Sequence, residues 1–161
     1  MENKTKIHAE ENKQDLVITR EFDLPVALLF KAYVEPEIVA QWMGTKVLKL
    51  ESKKYGSWEF ETSDPNGNVV FKANGVIHDF IPNEKIVRTF EMENSNFAPQ
   101  LEFLEFEKIT DETSKLTMQI IYKSIEHRAA QLKLPFGFGL NMAHNRLEEI
   151  VTKLKQNEQE K

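Results

Sequence analysis

The chain has no cysteine among its 161 residues. Disulfides, thiolate nucleophiles, cysteine-ligated zinc and iron–sulfur clusters are therefore excluded. Glycine and proline are sparse, six of each, so no Pro/Gly-rich linker or low-complexity tract divides the sequence. No apolar run reaches the roughly 20 residues that cross a bilayer as a helix. The polar opening Met1-Glu2-Asn3-Lys4-Thr5-Lys6 lacks the apolar h-region of a secretory signal. Cationic excess is missing too: 21 Lys plus Arg face 26 Asp plus Glu, for a formal charge of −5. That balance disfavours binding to a phosphate backbone. These absences lead us to expect a cytoplasmic chain with no membrane span and no nucleic-acid partner.

What is present is large and soft: 11 Phe, three Tyr, two Trp and five Met. A length near 150 residues corresponds to one domain. We expect it to span residues 15–155, with flexible polar tails over 1–14 and 156–161. Leu16, Ile18 and Phe22 alternate as in a strand. Val26, Leu29, Phe30 and Tyr33 then recur at helical spacing after Pro25. Glu35-Pro36 starts a second short helix with Ile38, Val39, Trp42 and Met43 on its apolar face, and Gly44 suits its end. From Lys46 the period is two for some seventy-five residues, broken by turn signals such as Asp64-Pro65-Asn66-Gly67. Ser124 can cap another short helix. After Gly139, Leu140, Ala143, Leu147, Ile150, Val151 and Leu154 form one stripe of a long helix. The order predicts an α+β fold, with helices segregated to one face of an antiparallel sheet of six to seven strands.

No motif names a chemistry. Gly137-Phe138-Gly139 lacks the third glycine and the preceding strand of a dinucleotide site. The histidines, His8, His78, His127 and His144, have no metal-ligand spacing. We therefore expect no cofactor and no metal. Glu105 and Glu107 share a strand face, which reads as solvated, while Glu102 points the other way. Arg20 and Arg88 share parity with apolar neighbours. A buried Arg demands a carboxylate partner, and for Arg20 the alternative is emergence at the sheet end. His144 stands at the border of the long helix's stripe, where burial would lower its pKa.

The stretch from Leu16 to Pro25, followed by Leu29-Phe30-Lys31-Ala32, Glu35-Pro36-Glu37 and Trp42, resembles the opening of the SRPBCC (START-like) superfamily. More narrowly it is similar to the bacterial homologues of the activator of the ninety-kilodalton heat-shock protein ATPase. The Asp64-Pro65-Asn66-Gly67 hairpin, Gly75, the Phe80-to-Val87 stretch, Ser124, Arg128 and Arg146-Leu147 continue the likeness. Departures are Met43 in place of a second Trp, Thr45 for a Pro, and His144 for an aromatic residue. The resemblance implies a helix-grip fold, in which a curved antiparallel sheet wraps around a long C-terminal helix. It also implies a hydrophobic cavity between them.

Three functions compete. The first is binding of an apolar, aromatic or lipid-like small molecule. The second is a cyclase- or dehydratase-type enzyme using a cavity carboxylate or His144. The third is a stress-response module that contacts a chaperone. No catalytic residue can be named, and the aromatic and Met set favours binding over catalysis. The expected ligand-binding residues are Trp42, Met43, Trp58, Phe60, Phe71, Phe90, Met118, Ile120, Tyr122, Phe136, Phe138, Met142 and His144. The expected partner is an apolar small molecule, the expected state is a monomer, and the expected pocket exceeds about 300 Å³.

Overall fold

The computed structural model describes residues 3–159. Its elements run β1 (Lys6–His8), β2 (Asp15–Phe22), α1 (Val26–Val34), α2 (Pro36–Met43), β3 (Lys46–Leu50), β4 (Ser57–Ser63), β5 (Val69–Ile81), β6 (Lys85–Met92), β7 (Gln100–Lys108), β8 (Ser114–Ile121), α3 (Ile125–Leu132) and α4 (Phe136–Gln159). All strands join one antiparallel sheet of eight, in the order β1-β2-β8-β7-β6-β5-β4-β3. Strands β3 to β8 form a meander, and β2 returns beside β8. With the long C-terminal helix this is the expected helix-grip fold, with more strands than the sequence implies.

Local chemistry explains most boundaries. Pro36 opens α2 at a position where its missing N–H costs nothing. The preceding Glu35 is extended, as a residue before proline prefers. Gly44 ends α2 in the left-handed region at φ 61°. Asp64 tightens the β4–β5 turn by accepting from the backbone N–H groups of Asn66 and Asn68. The Ser124 hydroxyl accepts from the His127 N–H and caps α3. Trp42 ties the two early helices together, its indole N–H donating to the Ala32 carbonyl at 2.7 Å.

Two differences from the sequence reading concern the ends. The expected N-terminal tail contains β1, which pairs Lys6, Ile7 and His8 with Thr19, Ile18 and Val17. Helix α4 begins at Phe136, before both glycines, and continues past Lys155 to Gln159. The Pro135 carbonyl already accepts from the Gly139 N–H. Gly137 is needed for close approach: a Cβ there would stand 2.8 Å from Ile7 Cδ1. Two residues advance a helix by about 200°, so Phe138 and Met142 lie opposite Phe136 and Leu140. Phe138 is 73% exposed and Met142 43%, which corrects their expected inward orientation.

The core gathers β2, α1, α2, the middle strands and Leu147 and Val151 of α4. At Gly75, paired with Trp58 across β4 and β5, a Cβ would meet the Thr89 carbonyl oxygen at 1.9 Å and Trp58 Nε1 at 2.5 Å. Because one obstacle is backbone, Gly75→Ala is expected to destabilise the fold by about 1–3 kcal/mol or more. A fall in the urea midpoint at unchanged slope checks this. An unmoved midpoint would mean that the sheet yields at no cost.

Candidate functional site

A cleft of about 250 Å³ opens between the concave side of the sheet, α2 and the N-terminal half of α4. Strand alternation supplies one wall: Ile18 from β2, Phe90 and Met92 from β6, and Met118 and Ile120 from β8. Trp42 and Met43 at the end of α2 and Tyr33 of α1 supply a second. Phe136, Leu140, Ala143 and His144 supply the third, at the successive three- and four-residue steps that put them on one face of α4. Phe97, in the β6–β7 connection, and Gln131 of α3 also line the cleft. A larger depression of about 670 Å³ lies beside β1, but Lys4, Lys6, Glu21 and Lys115 line it and no aromatic does.

The structure thus brings Trp42, Met43, Phe90, Met118, Ile120, Phe136 and His144 together. The others lie elsewhere. Trp58 and Phe60 are buried outside the cleft lining, their rings tilted at 42° with centroids 4.7 Å apart. Tyr122 is buried at the β8 end, and Phe71 is half-buried against the core's edge. Phe138 and Met142 face outward. The cleft volume of about 250 Å³ falls below the roughly 300 Å³ expected, and neither Trp58 nor Phe60 lines it.

Sequence reasoning missed the polar part of the lining. Arg88, Gln100, Glu102 and Tyr33 all line the cleft. Arg88 and Glu102 are direct cross-strand partners in β6 and β7. Arg88 Nε donates to Glu102 Oε1 at 2.8 Å, and Gln100 Nε2 donates to Oε2 at 2.7 Å. The Arg88 guanidinium lies over the Trp58 ring at 5.5 Å. The signal was the parity of Glu102 with Leu104 and Phe106, which turns it inward as that alternation requires. Arg20 does not emerge at the sheet end. It is buried and bonded to Glu148 and Asn141, both at 3.2 Å.

His144 is buried, packed edge-on against Phe22 with centroids 5.6 Å apart. Its Nδ1 shares a 2.6 Å hydrogen bond with the Thr5 hydroxyl, while Nε2 is buried without a partner. Burial first, and the nearby Arg20 charge second, push its pKa down to about 3. The ring is therefore neutral at pH 7. Burial also raises the pKa of the Tyr33 hydroxyl, with Arg88 opposing and Glu102 reinforcing the shift. Among the described residues, no group of three or more His, Asp or Glu side chains is arranged to hold a metal ion. No described helix is long and apolar enough to cross a membrane.

The family model for "Activator of Hsp90 ATPase homolog 1-like protein" matches residues 23–152. The chain belongs to that family. No curated protein sequence matches it. Among solved structures, a Rhodobacter sphaeroides protein aligns with a TM-score of 0.84 at 17% identity, over 93% of this chain and 99% of that one. An Arthrobacter aurescens protein gives 0.82 at 11% identity, over 92% and 91%. CalU16 from Micromonospora echinospora gives 0.64 at 16% identity, over 99% and 91%. At these identities the likeness is one of fold. The family match agrees with the family resemblance and takes in the Asp64–Gly67 segment, while most of the Leu16–Pro25 segment lies ahead of the matched residues.

The neutral His144 makes folding pH-dependent. Between pH 6.5 and about 3 the unfolded chain binds a proton there that the folded chain refuses. Stability therefore falls as pH drops through this window, by up to about 1.4 kcal/mol per unit. From pH 7.5 to 5 the loss attributable to His144 is about 2 kcal/mol. Urea unfolding of wild type and His144→Phe at both pH values measures it: the variant loses less stability on acidification by that amount. Identical pH dependence in the two proteins would show that the imidazole takes up its proton as readily in the fold as in the unfolded chain.

Proposed function

We propose that the protein binds a compact, mainly apolar small molecule in the cleft between the sheet and α4. The observation that carries this reading is the convergence of Trp42, Met43, Phe90, Met118, Ile120 and Phe136 on one opening. Large rings and thioethers adapt to apolar ligands while a few polar groups orient them. The titratable groups argue against proton-transfer chemistry. Both carboxylate oxygens of Glu102 already accept hydrogen bonds, and the His144 pKa of about 3 lies far from the neutral range that suits a general base. A cyclase- or dehydratase-type activity is thus less supported than binding.

Size narrows the ligand. An apolar cavity of about 150 Å³ accepts benzene, so one or two fused rings suit 250 Å³, and a long acyl chain would protrude. Apolar burial contributes about 25 cal/mol per Å², and association costs offset much of it. Micromolar dissociation constants follow. The reading treats the chain as one monomeric cytoplasmic binding domain that extends beyond residues 15–155 to include β1 and the end of α4.

The test is titration of the protein with one- and two-ring aromatic compounds followed by ¹H–¹⁵N NMR. Shift changes should concentrate at Trp42, Phe90, Met118 and the Phe136–His144 segment. Ala143→Phe, which fills the cleft from α4, should weaken binding at least tenfold while the fold persists. Shifts confined to the outer strand faces, or full affinity in Ala143→Phe, would refute the reading.

A second reading, contact with an Hsp90-class chaperone, draws on the family's description and on one observation. Phe138 and Met142 form an exposed apolar pair one turn apart on the outer face of α4. Such a patch suits a protein partner. Binding to a purified Hsp90-class chaperone that is lost in Phe138→Ser would favour it, and no binding would remove it.

A further inference from the structure

The cleft contains hydrogen-bond donors that the protein itself leaves unused. Arg88 spends only its Nε on Glu102. Its two terminal nitrogens meet no acceptor among the described residues, although the side chain is only 12% exposed. They are not sealed in either. The buried side-chain nitrogens and oxygens without partners are those of Trp58, Tyr122, Arg128 and His144. Arg88 lines the cleft, so its free donors open onto it. The Tyr33 hydroxyl is in the same condition. Tyr33 is 7% exposed, lines the cleft, meets no acceptor and is not among the sealed atoms. Tyr33 lines the same cleft as Arg88 and Glu102, with its ring against Trp42 at 5.1 Å between centroids.

This arrangement also restricts charge. The positive charge of Arg88 is matched by Glu102 at 2.8 Å, and that of Arg20 by Glu148 at 3.2 Å. His144 is neutral. An incoming carboxylate would add a negative charge with no counter-charge in a largely desolvated site, which is unfavourable. A neutral oxygen would accept from donors that are otherwise unsatisfied, one of them charged, and charged donors make the stronger hydrogen bonds.

We infer that Arg88 and Tyr33 form a paired donor site for the neutral carbonyl oxygen of the ligand, so that the protein selects compact aromatic ketones and related carbonyl compounds over hydrocarbons and carboxylates. The inference rests on the binding reading above and specifies its chemistry. Glu102 and Gln100 act as positioning residues. The bond from Arg88 Nε to Glu102, itself fixed by Gln100, leaves the terminal nitrogens of Arg88 for the ligand.

The test uses three probes of similar shape: 1-tetralone, tetralin and 1-naphthoate. Dissociation constants are measured by calorimetry on the wild type, Tyr33→Phe and Arg88→Lys. Tyr33→Phe keeps the ring that packs on Trp42 and Phe106, and Arg88→Lys keeps a charge for Glu102. The wild type should bind 1-tetralone about ten- to hundredfold more tightly than tetralin, as expected for a hydrogen bond to a charged donor. It should also bind 1-tetralone more tightly than 1-naphthoate. Each variant should lose most of the ketone preference, read within that variant as the ratio of its tetralin to its 1-tetralone dissociation constant. Equal affinity for 1-tetralone and tetralin in the wild type would overturn the donor site but leave apolar binding standing. Tighter binding of 1-naphthoate would overturn the neutrality argument. Absence of binding by all three would overturn the inference and the binding reading together.

Discussion

Helix α4 is packed over one half of its length and stands off over the other, and the rest of the molecule follows from that. At its C-terminal half Leu147 and Val151 are buried, and the helix lies against α1 and α2. At its N-terminal half Phe136, Leu140 and Ala143 are only half-buried and line the cleft. A curved sheet cannot hold uniform contact with a straight rod that spans its width. With 24 residues α4 is about 36 Å long at 1.5 Å per residue. Where the two diverge, side chains close the space or leave it open. The cleft is what remains open.

Buried charge is organised in the same region. Arg20 and Arg88 stand on neighbouring parts of the concave face, and each has a carboxylate. Neither pair is evidence of stability, because desolvation offsets much of the Coulombic gain. Their effect is on specificity. They fix the electrostatic balance of the cleft near neutral, and the pairing geometry leaves particular donors free. The N-terminal strand contributes from outside: Thr5 bonds through its backbone N–H to Asn141 and through its hydroxyl to His144. One edge of the sheet is thereby tied to the start of α4, beside the cleft.

The fold was legible where local chemistry determines it. Alternation in β2 and β8, the Asp64–Gly67 turn, Gly44 and the Ser124 cap all act over a few residues and read directly. What could not be read depends on distant partners. Strand β1 is three polar-flanked residues held by β2, by the gap above Gly137 and by the bonds of the adjoining Thr5 to α4. The start of α4 depends on Pro135 and Ile7, and Phe138 and Met142 lie about 200° from Phe136 and Leu140 around it, which leaves them exposed. In the site, the apolar members were visible as strand parity and helix stripe. Strand parity turned Arg88 and Glu102 inward one at a time, but nothing local shows that they meet across β6 and β7. The contact between Thr5 and His144 spans 139 positions and leaves no local trace.

The methionines provide the most direct test that the cleft is the binding site. Met43, Met92 and Met118 line it, while Met142 lies on the outer face of the same helix that bounds it. In protein labelled with ¹³C-methyl methionine, nuclear Overhauser contacts to bound 1-tetralone should appear at the methyl groups of Met43, Met92 and Met118 and be absent at Met142. Contacts at Met142 with none at the other three would place the ligand on the exterior and contradict the account.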